Sequence, residues 1–113
     1  MALTVETIDI WREYLQGVMN RANHHAQNVN EIALALIGAI IWRSTDEVKV
    51  MEREGEAKNI LWMCINGRNF CFTYDHNNGG FIAMREGNSR GNIIHRFTNQ
   101  TTNSEVKEIF ENL

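Results

Sequence analysis

No proline occurs anywhere in these 113 residues, where ordinary usage of about 5% would supply roughly five or six. Turns must therefore be built by other residues, and asparagine with glycine takes that part at Asn66-Gly67, Asn77-Asn78-Gly79-Gly80 and Gly87-Asn88. Cysteine is scarce as well. Two of them, Cys64 and Cys71, exclude a disulfide scaffold. The longest apolar run, residues 32–42, is eleven residues long, against about twenty for a membrane span. The opening Met1-Ala2-Leu3-Thr4-Val5-Glu6 has neither a basic segment nor a long apolar one, so no signal peptide is read and a cytoplasmic location is expected. Basic excess is absent too. The net charge of −3 does not favour nucleic acid or an anionic membrane.

What is present has the proportions of an ordinary globular domain: 43% apolar and 22% charged residues. A chain this long folds as one domain, residues 1–113, and buries a working core unaided. Charge is unevenly spread. Residues 59–100 carry Arg68, Arg85, Arg90 and Arg96 against Asp75 and Glu86, which leaves room for a local basic strip.

The period of the apolar residues organises the chain. Ile8, Trp11, Leu15, Val18 and Ala22 recur at steps of three and four, which predicts a first helix with Thr4 as its N-cap and a fading end near Asn23-His24-His25. Asn28 and Glu31 have the spacing of a capping box ahead of a second helix, 32–42. That helix is apolar all round, which predicts burial on more than one side. A competing reading ends it at Gly38 and makes residues 39–43 a strand. From Glu47 the period changes to two. A first strand is expected from Glu47 up to the turn at Gly55-Glu56-Ala57-Lys58, and others at 59–65, 69–75, 81–86 and 92–98, with Asn66-Gly67 as a strong hairpin signal. Val106, Ile109, Phe110 and Leu113, after Thr101-Thr102-Asn103-Ser104, predict a short C-terminal helix. The fold class is α+β: two N-terminal helices packed on one face of a five-stranded antiparallel meander, followed by a short C-terminal helix.

Four-residue turns would align Met51, Trp62, Thr73 and Met84, spaced eleven residues apart, in one row across the sheet. On that face Lys49, Met51, Arg53, Ile60, Trp62, Cys64, Cys71, Thr73, Asp75, Ile82, Met84 and Glu86 are expected. The opposite face takes Val48, Val50, Leu61, Met63, Ile65, Phe70, Phe72, Tyr74, Phe81 and Ala83 and belongs to the core. An apolar centre with a charged rim has the composition of a binding surface. In the fifth strand, a five-residue loop would set Ile94 beside Met84 and turn Ile93 and Phe97 inward; a four-residue loop would set His95 there. The first arrangement is the one expected.

Catalytic signals are weak. Cys71, Asp75 and His76 carry the residue types of a nucleophilic group, but alternation puts His76 away from the other two. Cys64 and Cys71 meet closely enough for a disulfide only if their hairpin has a four-residue loop, and a reducing compartment favours free thiols. Adjacent His24 and His25 point about 100° apart on a helix and do not form an i, i+4 zinc pair. The glycine-rich loops match no phosphate-loop spacing and read as hairpin loops. Neither a metal nor a cofactor is implied.

The reading from sequence is thus a non-enzymatic binding domain, homodimeric through the open sheet face. Trp62 is its anchor, Met51, Thr73 and Met84 line it, and Arg53, Asp75 and Glu86 form its rim. Two alternatives stand beside it. One is a small-molecule site, enzymatic or not, between the sheet and the N-terminal helices, lined by Trp11, Trp42, Phe72, Tyr74 and Arg85. The other is an acidic inhibitor of the immunity type that blocks a protein partner. The C-terminal helix is a further possible cover for the open face.

Overall fold

The computed structural model describes residues 2–4, 6, 8–25, 29–53, 56–75 and 80–113. In chain order the elements are β1 (Ala2–Thr4), α1 (Ile8–His25), α2 (Ile32–Arg43), β2 (Lys49–Arg53), β3 (Glu56–Ile65), β4 (Arg68–Asp75), β5 (Phe81–Glu86), β6 (Ile93–Phe97) and α3 (Asn103–Glu111). All six strands lie in one antiparallel sheet, in the order β1-β2-β3-β4-β5-β6. The α+β class and the five-strand meander, β2 to β6, are as the sequence predicts. β1 is an addition. Where Thr4 was expected to cap a helix, Leu3 instead pairs with Val50 and Thr4 with Lys49, covering an edge of β2 whose backbone would otherwise lack partners.

The turn chemistry fixes which side chains share a face. Asn66 and Gly67 have φ of 50° and 84°, the left-handed values of a two-residue hairpin turn whose twist suits the flanking strands. Ile65 therefore pairs with Arg68, and Trp62 with Cys71 rather than Thr73. This loop is shorter than four by two residues, so every β3 and β4 side chain keeps its expected face.

The next connection differs by one. Asp75 pairs with Phe81 and Thr73 with Ala83, which inverts β5. Ile82 and Met84 enter the core, while Phe81, Ala83 and Arg85 turn to the other side. The assignment of Met84 and Ile82 to the open face, and of Phe81 and Ala83 to the core, is thereby corrected, and the eleven-residue row does not form. In β6, His95 stands opposite Met84 and Phe97 opposite Ile82; a bulge then sets Ile93 against Arg85. The expected pairing of Ile94 with Met84 is corrected with it.

The core lies between the sheet and a single layer of helices. Tyr14 of α1, Ile32, Ala33, Leu36, Ala39 and Ile40 of α2, and Val106 and Phe110 of α3 are buried with Val50, Leu61, Met63, Ile65, Phe70, Phe72, Ile82, Met84 and Phe97 of the sheet. The Phe110 ring stacks on Phe72 at 6.2 Å and meets Phe97 at 6.4 Å. α3 thus covers the same face as α1 and α2 and is no lid for the other.

α2 continues as a helix through Gly38 to Arg43. Asn28 lies outside the described residues, and Glu31 makes no side-chain cap. Asn99 does that work from far along the chain: its Oδ1 accepts from the backbone amides of Glu31 and Ile32, both at 3.0 Å. In α3 the cap is local. Thr102 accepts from the Glu105 amide at 3.1 Å, and Glu105 accepts from the Thr102 amide at 2.9 Å, a reciprocal pair that satisfies two orphan donors. Arg43 joins the ends of α2 and α3, its guanidinium donating to the Leu113 carbonyl at 3.0 Å.

Candidate functional site on the helix-free sheet face

Alternation along β2 to β6 leaves one sheet face without a helix over it. A cross-strand row runs over this face: Lys49 beside Trp62, Trp62 beside Cys71, Cys71 beside Arg85, Arg85 beside Ile93. The row next to it holds Ile60, Thr73, Ala83 and Arg96. Directly opposed side chains in a sheet lie about 5 Å apart, so Trp62 sits between a cation on β2 and, one strand beyond Cys71, a second cation on β5.

Trp62 is half-buried. It lines a groove of about 270 Å³ together with Asp46, Glu47, Lys49, Cys64, Asn69 and Gly87. Arg85 is held in place: Nε donates to Thr73 Oγ1 and Nη1 to the Gly91 carbonyl, each at 3.0 Å. Both acceptors are neutral, so its charge meets no carboxylate among the described residues. The Arg96 guanidinium lies over the Phe81 ring, 5.5 Å from its centroid. Phe81, Cys71 and Ala83 are consequently buried beneath longer side chains, and the accessible part of the face is the Trp62 indole between Lys49 and Arg85, with the exposed carboxylates of Asp46 and Glu47 on the groove.

Cys71 has the opposite of an activated thiol. Burial pushes it up to about 11, against a smaller lowering by Arg85, so it is protonated near neutral pH and is a poor nucleophile. Its would-be partner His76 lies outside the described residues. Cys64 stands opposite Asn69, diagonal to Cys71, and both cysteines are free, as the two-residue hairpin requires. Among the described residues, no group of three or more His, Cys, Asp and Glu side chains is placed to hold a metal ion, and no helix is long and apolar enough to cross a membrane.

The residues expected at the site separate into two sets. Trp62, Thr73 and Asp75 do share the helix-free face. Met51 is half-buried where the register of β2 on β3 shifts, and the Arg53 backbone pairs with Glu56 at the end of β2. Met84 is fully buried on the other side. Arg85 joins Lys49, which was expected on this face, in the row of Trp62, and the signal missed for Arg85 is the odd length of the connection between β4 and β5.

The pocket proposed between sheet and helices does not assemble. Phe72 and Tyr74 face the helices, Trp11 packs at the border of the core, Trp42 is exposed on the outer side of α2, and Arg85 is on the opposite sheet face. The space bounded there by Tyr14, Leu36, Ile40, Phe72 and Ile82 is about 20 Å³, room for one water rather than a metabolite.

Over residues 11–107 the sequence matches the family VCH_CASS14, described as integron cassette protein VCH_CASS1 chain. The match takes in most of the chain, which belongs to that family. No curated protein matches it.

Proposed function

We propose that this integron cassette family member is a non-enzymatic binding domain whose contact surface is the sheet face around Trp62. The observation that carries the reading is the row Lys49–Trp62–Cys71–Arg85 beside a groove of about 270 Å³. Trp62 offers a flat apolar wall, and anchors of this kind dominate contact energies. Arg85, pinned by neutral acceptors, has its charge left for a ligand, and arginine pairs best with carboxylate or phosphate. The fitting ligand or partner group is therefore planar with an anionic substituent.

Self-association through this same face is a second reading: it presents both cations (Lys49, Arg85, Arg96) and carboxylates (Asp46, Glu47, Asp75), and away from its axis a two-fold sets each residue against a different residue of the other copy.

The test is a thermal-shift screen of aromatic carboxylates and nucleotides on the wild type and on Trp62→Ala. A ligand at a hundred times its dissociation constant stabilises by about 2.7 kcal/mol, so true ligands should raise the wild-type melting temperature by several degrees and leave the variant unmoved. Equal shifts in both proteins, or none in either, would remove Trp62 as the anchor.

A further inference from the structure

The groove beside Trp62 runs from its row toward the β3–β4 hairpin. Two residues nearer that turn, Cys64 stands opposite Asn69 on the same face. The segment ahead of β2 is drawn alongside them, because the Thr45 amide donates to the Cys64 carbonyl at 2.9 Å. Asp46 and Glu47 consequently line the groove together with Cys64, and Lys49 lines it beside Trp62. On the far side the Gly87 amide donates to the Asn69 carbonyl at 2.8 Å, and Gly87 puts no side chain into the space.

The charges on the groove are of both signs and are not spent on each other. Glu47 and Lys49 are two residues apart, so their Cα atoms are separated by at most about 7 Å. Yet among the described residues neither they nor Asp46 belong to an ion pair. Asp46 Oδ1 accepts from the Glu47 amide at 2.8 Å, a neutral donor that fixes the carboxylate and leaves its charge. A half-buried indole, one ammonium and two carboxylates thus border one small space.

We infer that this groove binds a free α-amino acid with an aromatic side chain. The ring lies on the Trp62 indole, the ammonium meets Glu47 and Asp46, and the carboxylate meets Lys49. In such a molecule the two charges sit on one carbon, and Glu47 and Lys49 bracket a head group of that size. Simpler ligands fit less well. An aromatic acid would leave two carboxylates near its own, and an aromatic amine would set its ammonium near Lys49; like charges so placed count against a ligand. Arg85, two strands beyond Trp62, adds attraction for the carboxylate at longer range. The volume of about 270 Å³ is just under the usual range of about 300–1,000 Å³ for drug-sized ligands, which suits one ring with a short chain. The inference rests on the Trp62 reading and narrows it.

Titration calorimetry with three probes tests it: phenylalanine, phenylpropionate, which lacks the ammonium, and phenylethylamine, which lacks the carboxylate. Wild type should bind phenylalanine at least about tenfold more tightly than either of the others. Asp46→Asn combined with Glu47→Gln, both at exposed positions, should weaken phenylalanine about tenfold and leave phenylpropionate as tight or tighter. Lys49→Gln should weaken phenylalanine and phenylpropionate and spare phenylethylamine. Bound phenylalanine should also slow alkylation of Cys64 by iodoacetamide, while buried Cys71 stays unreactive. Phenylalanine bound no better than phenylpropionate, or equally well by the carboxylate double variant, overturns the inference; if that binding is still lost in Trp62→Ala, the broader reading stands. Cys64 alkylation unchanged by phenylalanine overturns the inference as well. Binding that survives Trp62→Ala overturns both. Failure of all three probes at millimolar concentration overturns the amino-acid inference alone, since the broader reading is judged on its own ligand screen.

Discussion

Asn99 belongs to no helix or strand, yet it closes the start of α2 with two 3.0 Å hydrogen bonds. Its Nδ2 also donates to Asn30 Oδ1 at 2.8 Å, so the one amide group ties the segment after β6 to the segment before α2. Helix starts present orphan amides that cost free energy if buried without acceptors. Asn99→Ala is expected to destabilise the protein by about 1–2 kcal/mol, read as a lower urea midpoint at unchanged slope; an unmoved midpoint would mean that water or another group caps α2. This contact could not be read from sequence. Asn28 and Glu31 had the right spacing for a cap, but spacing carries no information about an acceptor almost seventy positions away.

At the scale of the element, α3 is the most legible part of the chain and β5 the least. The α3 cap is a local pattern, Thr102 to Glu105, and its chemistry follows from three residues of spacing. The backbone and side-chain hydrogen bonds with Thr102 hold the Glu105 carboxyl below its ordinary 4.5, and Lys107 does the same for Glu111. A carboxyl lowered in the folded state contributes stability that is fully present above 4.5. That contribution is lost as pH falls below it through the folded value. The urea midpoint should therefore fall with pH in that acid range, and the fall should be shallower in Glu105→Gln, whose side chain does not titrate. An identical pH profile in the two proteins would mean that the capping carboxylate has no part in acid stability. β5 is illegible for the opposite reason. Phe81-Ile82-Ala83-Met84 is apolar at both parities, so alternation cannot say which pair is inside. The connection from Asp75 to Phe81 decides it, and a change of one residue there exchanges the faces.

For the whole molecule, the missing prolines bear on kinetics. Refolding should show no phase in the range of tens of seconds at 25 °C, the signature of proline isomerisation. Stopped-flow fluorescence followed by manual mixing would detect one, and its presence would point to association or another slow step. The arrangement of layers bears on function. All three helices cover one sheet face, which leaves the Trp62 row open on one side of the molecule and the outer stripe of α2 open on the other. Sequence reasoning found the first of these through Trp62 but put Ile82 and Met84 of β5 there in place of Ala83 and Arg85. It read the second as buried, because a helix apolar all round is ordinarily covered on more than one side.

By itself the sequence determined what depends on short spacing: the α+β class, the change from a helical to a strand period near Glu47, the hairpin at Asn66-Gly67 and the capped C-terminal helix. These follow from side-chain periodicity and turn preference, which act over a few residues. Only the tertiary structure decided that Arg85 rather than Met84 shares the face of Trp62, that Asn99 caps α2, and that Leu34, Ile41 and Trp42 face outward. Each of those depends on the parity of one loop or on contacts between distant segments, and the energy that selects them is burial of the core, a property of the assembled layers.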